Sequence, residues 1–258
     1  MLKIVKTKGI VVTEQLYSES SKILKVFTKD YGVISIMSRG CRKPKSVFHE
    51  ASNKLIYANF DISYKENGIS TLVAVDIIKI FRNIVMDYRD LEKKMYAFSL
   101  VDLSLQIVGE KYISKDEIEK IYDIFFSSLC KIDEGFAPSI IFAIVKLKYL
   151  EYLGVKPSID CCSNCGSTTN IVTISAMSFG YICGNCYHNE KIVSKETIKM
   201  IRMLYYVDID RIKKLDVADE VFKEIEEFLD DYYEEHTGVY STIKDKYKMI
   251  SKINGVVS

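Results

Sequence analysis

The sequence predicts an α+β chain of several domains. A small five-stranded barrel comes first, then an all-α helical domain that carries an inserted four-cysteine zinc module. Three observations predict this. Short runs rich in Val, Ile, Tyr, Phe and Thr fill the first 80 positions, separated by turn residues. After Phe81 the apolar residues recur at steps of three and four. Two Cys-x2-Cys pairs, Cys162 with Cys165 and Cys183 with Cys186, then interrupt the helical pattern.

The five β runs lie near 4–14, 22–28, 33–38, 53–64 and 69–80, with turn signals at Ser18–Ser21, Asp30–Gly32 and Glu66–Gly68. Five strands in about 80 residues fit a small closed barrel better than a sandwich of seven or more. The OB-fold, which binds oligonucleotides on one face, is the first reading, and SH3-like barrels are its rival. Residues 1–80 form this domain.

The helical domain takes residues 81–158 and resumes over 191–258. Leu91, Met95, Phe98, Val101, Leu105 and Val108 mark one helix face. Ser114 with Glu117 forms a capping-box pattern that opens a helix to about Cys130. Pro138 sits where a helix begins, and Ile140 to Leu153 is apolar all round, the mark of a central, buried helix. Gly154 and Pro157 end it. A helix starts at Ser194, another spans about 217–236, and a last one runs from about Thr242 to Ile253. The carboxylates from Glu224 to Glu235 fall opposite the apolar stripe and read as a solvated face.

The zinc module covers 159–190. A Cys-x2-Cys turn sets two thiolates on one side of an ion, and the 17 residues between the pairs suffice for a hairpin that brings the second pair round. Gly166 and Gly184, each directly after a cysteine, suit the turns. Cys162, Cys165, Cys183 and Cys186 are therefore the ligands of one structural zinc. Cys161 adjoins them and could exchange with Cys162, whose spacing better mirrors the second pair. Seven cysteines is an odd number, the start Met1–Gly9 interleaves lysines and has no apolar signal region, and no run approaches about 18 uncharged apolar residues. A reducing cytoplasmic setting follows, with no membrane span, where paired cysteines favour metal over disulfide.

Net charge is +1 over 258 residues, but residues 1–80 hold 13 Lys/Arg against 7 Asp/Glu, so the remainder carries −5. A basic front end attracts a polyanion. The sharpest cation cluster is Ser38–Ser46, SRGCRKPKS, with Arg39, Arg42, Lys43 and Lys45 in seven positions and no acid among them. Guanidinium and ammonium groups neutralise phosphates, so this loop is the candidate DNA contact, with Lys6 and Lys8 on a neighbouring strand added. Lys22, Lys25 and Lys29 also lie on neighbouring strands. In the absence of Trp, base stacking falls to Tyr or Phe, with Tyr31 and Phe48 as loop candidates. No phosphate-binding GxxxxGK[ST], no GxGxxG after a strand, no GxSxG and no HExxH is present, and the chain has only three histidines. Four cysteine ligands close a zinc sphere that catalysis would leave open. The chain therefore reads as a binding protein and not an enzyme. An RNA-binding factor with the same barrel is the alternative, and a thiol oxidoreductase using both cysteine pairs is a third class.

Segments along nearly the whole chain resemble the RecO family of bacterial recombination mediators. They are Lys8–Val12 (KGIVV), the basic loop SRGCRKPKS, Leu150–Pro157 (LEYLGVKP), Cys162–Gly166, Gly180–Cys186 (GYICGNC) and Tyr232–Ser241 (YYEEHTGVYS). Two positions depart from the family pattern: Cys41 stands where Ala is frequent, and Thr237 where an apolar residue is usual. The resemblance implies an OB domain, a helical domain and a zinc module packed on it. It implies binding to ssDNA and dsDNA and annealing of complementary strands. It further implies partnership with RecR and with the C-terminal tail of single-stranded DNA-binding protein (SSB). Some family members lack the cysteines, so zinc would be support and not chemistry. Lys146, Lys148, Lys199 and Arg202 are candidate walls for the acidic SSB tail.

Overall fold

The computed structural model describes residues 3–87, 90–109 and 113–239. The chain divides into two compact units, Met1–Asp90 with Val108–Phe126, and Leu91–Ile107 with Ser127–Ser258. The helix expected over 242–253 lies outside the described residues.

In the first unit, β1 (Lys3–Tyr17), β2 (Ser21–Thr28), β3 (Gly32–Ser38), β4 (Ile56–Tyr64) and β5 (Ile69–Ile80) close a barrel in the order β1-β2-β3-β5-β4. The strands begin and end within three residues of the sequence reading. All pairs are antiparallel except β3–β5, which runs parallel over Ser35–Met37. Three strands meander, then β4 returns beside β1, the Greek-key route of an OB barrel. Alternation along β3 and β4 turns Ile34, Ile36, Ala58, Phe60 and Ile62 inward, where they meet Val11, Leu24 and Val26. Each Ile, Leu, Val or Phe among them contributes about 1.5–3 kcal/mol when fully buried.

β1 is long enough to serve two neighbours. Its first half pairs with β4 and its second with β2, with a bulge between Val11 and Thr13. Gly9 lies at the crossover, where a Cβ would come within 2.6 Å of Val26 Cγ1 and 2.7 Å of the Phe27 carbonyl oxygen. Only glycine lets the strands approach so closely there.

A short helix α1 (Arg82–Val85) follows β5. The segment Val108–Phe126 also belongs to this unit and includes the first part of a helix, α3 (Lys115–Asp133). The expected capping box forms: Glu117 accepts from the Ser114 N–H at 2.8 Å, and Ser114 Oγ accepts from the Glu117 N–H at 3.3 Å. Tyr122 and Phe125 of α3 meet the buried Phe27 ring at 5.1 and 5.4 Å between centroids.

The second unit contains α2 (Leu91–Val108), α4 (Pro138–Tyr152), α5 (Lys195–Tyr206) and α6 (Asp219–His236), with a hairpin of β6 (Ile171–Ser175) and β7 (Gly180–Cys183) between α4 and α5. α4 is buried on nearly all sides, as its uniform apolarity predicts, and Pro138 sits at its start. α2 is buried over a wider face than the expected stripe. Met95 and Val101 of the stripe are buried and Leu91 is exposed, while Ala97, Leu100, Leu103, Ser104 and Ile107 beside it are buried too. Small residues here permit a close approach to α4: Ser104 Oγ and Tyr149 Oη lie 2.9 Å apart, and Tyr96 packs on Phe142. α5 starts at its predicted cap, where Ser194 Oγ accepts from the Thr197 N–H at 3.1 Å. Among the described residues, no helix is long and apolar enough to cross a membrane.

Candidate metal centre and nucleic-acid interface

The sulfur atoms of Cys162, Cys165, Cys183 and Cys186 all lie within 4.8 Å of one another, and Cys165 and Cys183 are 3.6 Å apart. Four thiolates about 2.3 Å from a central ion stand about 3.8 Å apart at tetrahedral corners, so the cluster has the dimensions of a closed four-sulfur site. The separation excludes a Cys165–Cys183 disulfide, whose sulfurs would lie about 2.05 Å apart. Cys161 is not part of the cluster; its sulfur lies 3.5 Å from Ser158 Oγ.

The backbone builds the site from two turns. The Gly166 N–H donates to the Cys162 carbonyl at 2.9 Å with Gly166 at φ +73°, and the Cys186 N–H donates to the Cys183 carbonyl at 3.0 Å. The hairpin β6–β7 carries the second turn onto the first, and the Ser163 N–H donates to the Tyr181 carbonyl at 2.8 Å. Burial pushes the Cys162 thiol up, but backbone donors, including the Cys183 N–H at 3.4 Å, outweigh it and draw Cys162 down to about 6. Hydrogen bonding to Cys165, with burial, pushes Cys186 up to about 12. A divalent ion would take all four as thiolates. The far end of the hairpin is tied to α6, where His236 Nε2 donates to the Ala176 carbonyl at 2.8 Å and Phe179 stacks on the His236 ring.

The basic loop joins β3 to β4 in the first unit. Its backbone is fixed and its cations are not. The Arg42 N–H donates to the Ser20 carbonyl at 2.9 Å, the Gly40 N–H to Ser21 Oγ at 3.1 Å, and the Lys43 N–H to the Gly40 carbonyl at 3.0 Å. Ser38 and Ser52 meet through their hydroxyls at 2.8 Å in the interior. Cys41 is buried, and Phe48 packs on the barrel core. Arg39, Arg42, Lys43 and Lys45 are all exposed. Of the four, Arg42 reaches the Ser18 carbonyl at 3.4 Å, a weak contact. No ion pair involves any of them among the described residues.

The other lysines separate. Lys22 is part of the scaffold: its ammonium binds Glu14 at 2.7 Å, Asn53 Oδ1 at 3.0 Å and the Ser52 carbonyl at 3.2 Å, with its side chain 14% exposed. Lys29 pairs with Asp123 at 2.7 Å. Lys6 and Lys8 are exposed on the half of β1 paired with β4, and Lys6 lies 3.5 Å from Asp61. From Lys8 to the loop-side end of β1 at Tyr17 the path along the strand is about 30 Å at about 3.3 Å per residue. The structure thus gathers the four loop cations and sets Lys6 and Lys8 toward the other end of β1.

Of the stacking candidates, Phe48 is committed to the core and Tyr31 leans on Tyr64 at 4.9 Å. Sequence reasoning missed Tyr17, which is 51% exposed and ends β1 directly before the turn that Arg42 grips. Its signal was an aromatic immediately before the turn Ser18–Ser21. In the second unit, Lys146 is buried against Asp230 at 2.8 Å, Lys148 donates to the Tyr205 carbonyl at 2.8 Å, and Arg202 pairs with Asp160 at 2.8 Å. Three of the four lysine and arginine walls are thus engaged within their own unit.

Comparison with known proteins covers both units. A family model described as "Recombination protein O N terminal" matches residues 1–81, and one described as "Recombination protein O C terminal" matches residues 88–242. The chain is similar to the DNA repair protein RecO of Listeria monocytogenes serotype 4a (strain HCC23), 29% identical over 238 residues, covering 91% of this chain and 90% of that protein. RecO of Bacillus subtilis (strain 168) gives the same identity and the same coverage. RecO of Bacillus pumilus (strain SAFR-032) is 30% identical over 240 residues, covering 92% and 91%.

Proposed function

The chain belongs to the RecO family of DNA repair proteins, and from that premise we propose that it is a recombination mediator that works by holding DNA and cleaves nothing. It binds ssDNA and dsDNA with little sequence preference and anneals complementary strands coated with SSB. It engages the SSB C-terminal tail and helps RecR load the recombinase. Arg39, Arg42, Lys43 and Lys45 contact phosphates, with Lys6 and Lys8 extending the contact along β1.

The observation that carries this reading is a loop with a pinned backbone and four exposed cations. A fixed backbone removes much of the ordering cost of binding, and long flexible side chains follow a phosphate chain without reading bases. Two DNA strands repel one another as polyanions. Cations shared between them lower that repulsion and let base pairing supply the driving force. Four neutralised phosphates on a single strand give a slope of log affinity against log salt of about −2.8.

One zinc ion held by Cys162, Cys165, Cys183 and Cys186 has a structural role. The four-sulfur set supports it, since it leaves no position for a substrate. The ion would bind the two turns of the hairpin together.

The deciding experiment is annealing of complementary DNA strands, each coated with cognate SSB, with and without the protein and without nucleotide. Acceleration is the expected result. DNA binding without acceleration would reject the mediator reading, and a preference for RNA strands of equal length would move the protein to RNA binding.

A further inference from the structure

The exposed side of α5 is basic where that of α6 is acidic. Lys195, Lys199, Arg202 and Tyr206 recur at steps of four, three and four, and all four are exposed. At 3.6 residues per turn they share about 60° of arc and run along about 16 Å of helix. Glu196, the one acid on α5, lies about 100° round the helix from Lys195. The side chains of Lys195 and Lys199 have no ion-pair or hydrogen-bond partner among the described residues. Tyr206 ends the row, and its ring is held. Its hydroxyl donates to Asp160 at 2.5 Å, and Arg202 Nε donates to the same carboxylate at 2.8 Å. The Arg202 guanidinium stands 5.2 Å from the centre of the Tyr206 ring, and Tyr205 meets that ring edge-on at 5.0 Å. The cysteine module sets Asp160 in place: the Ser158 N–H donates to the Phe179 carbonyl and the Tyr181 N–H to the Ser158 carbonyl, each at 2.8 Å. The Tyr181 hydroxyl then donates to the Ile198 carbonyl of α5. With all these contacts Tyr206 is still 51% exposed. A solvated helix face accounts for lysines in water. It does not account for an exposed aromatic ring fixed by three neighbours at the end of their row.

We propose that this stripe is a second site for single-stranded DNA, separate from the basic loop, in which Lys195, Lys199 and Arg202 take phosphates and Tyr206 stacks on a base. The inference rests on the reading that the protein binds DNA. Arg202 spends one N–H on Asp160, and a guanidinium has four more to offer a phosphate. A ring already held in place loses little freedom when a base settles on it. Stacking on an aromatic is open to every base, so the site needs no sequence preference. Duplex bases are already stacked on one another and present no free face, which selects the single strand. A chain with one strand site in each unit can hold two strands at once, which is what annealing requires. The cysteine module then has a use beyond stability, because it carries the carboxylate that orients Arg202 and Tyr206.

The test uses the full chain and a short oligodeoxythymidylate carrying 5-iodouracil, which photocrosslinks to an aromatic side chain stacked on it. Crosslinked peptides are read by mass spectrometry. The expected result is an adduct on Tyr206 in the wild-type protein and, equally, in the Arg39→Ala with Arg42→Ala variant. No adduct on Tyr206 would overturn the proposal. Loss of the adduct in the loop variant would also overturn it, since Tyr206 would then touch only a strand held by the loop. An equal adduct from a duplex of the same sequence would refute the stacking. Lys195→Ala with Lys199→Ala changes two exposed side chains and should leave the melting temperature unmoved. Apparent affinity read from the Tyr206 adduct should then lose about 1.4 from its salt slope, two phosphates at about 0.7 each. An unchanged slope would remove the lysines from the site. A Tyr206 left unmodified by the probe, with Lys199 protected from acetylation by an acidic peptide, would give the stripe to a protein tail and overturn the proposal. The outcome is separable from that of the mediator reading. Annealing of SSB-coated strands without a Tyr206 adduct would end this site alone, and a Tyr206 adduct without annealing would end the mediator reading alone.

Discussion

The basic loop of the barrel and the cysteine hairpin of the helical unit are both turn-rich connections between strands, and they are held in opposite ways. In the loop the backbone is tied by hydrogen bonds to Ser20, Ser21 and Gly40, and the charged side chains are left in solvent. In the hairpin the four cysteine side chains converge on one another. A connection whose backbone carries its own stability leaves its side chains available to a partner. A connection whose side chains carry the stability has them committed. The first pattern is what a binding surface needs and the second what a scaffold needs.

Four variants sharpen or break that contrast. The largest effect is expected from Cys162→Ser. A structural zinc in small fingers contributes about 10–16 kcal/mol of apparent binding free energy at pH 7. Loss of a ligand should remove the metal and lower the melting temperature, while the salt slope of DNA binding stays unchanged. Wild-type melting with full metal content would end the scaffold assignment. Next comes Arg39→Ala with Arg42→Ala. Loss of two phosphate contacts on a single strand should flatten the salt slope by about 1.4 and weaken binding, with melting unmoved. An unchanged slope would take the loop out of the interface.

Tyr17→Ala separates stacking from charge. Loss of one base–aromatic contact costs about 1–3 kcal/mol, and the salt slope should stay constant. An equal loss on duplex DNA, whose bases are already stacked, would argue against this role. The smallest effect is expected from Lys6→Ala. Its ammonium is exposed and shared with Asp61 at 3.5 Å, an arrangement worth at most about 1 kcal/mol. Loss of this one contact on a single strand should flatten the slope by about 0.7, and an unchanged slope would take the Lys6 half of β1 out of the DNA path.

The sequence made the local rules of this fold legible. Alternation in β3 and β4, the Ser114–Glu117 box, the Ser194 cap and Pro138 each leave a signature within a few residues, and each forms as expected. The cysteine pairs were legible for the same reason. What depends on distant partners was not. The parallel β3–β5 contact that closes the barrel joins residues more than thirty positions apart. The buried face of α2 is widened by α4, whose Tyr149 meets the small Ser104, so periodicity alone found Met95 and Val101 but not the small residues beside them. Lys22 reads as one cation among several until Glu14 and Asn53 fold around it. The acids of α6 read as a plain solvated face because the groove they line is completed by the hairpin and by residues 188–191 before α5.

The doubled duty of β1 also sets the order in which this chain can be made. The strand leaves the ribosome before β4 is made, yet Lys3 pairs with Tyr64 and Ile10 with Tyr57. A hairpin of β2 and β3 can form while synthesis continues, but the N-terminal half of β1 must wait for β4, and Phe27 stays uncovered until Tyr122 and Phe125 arrive. Such long-range closure makes folding slow relative to a helical domain of similar size. For the time it takes to translate that interval, an unpaired strand edge and a bare aromatic are open to nascent neighbours, so the barrel is the part of this protein most in need of protection by chaperones.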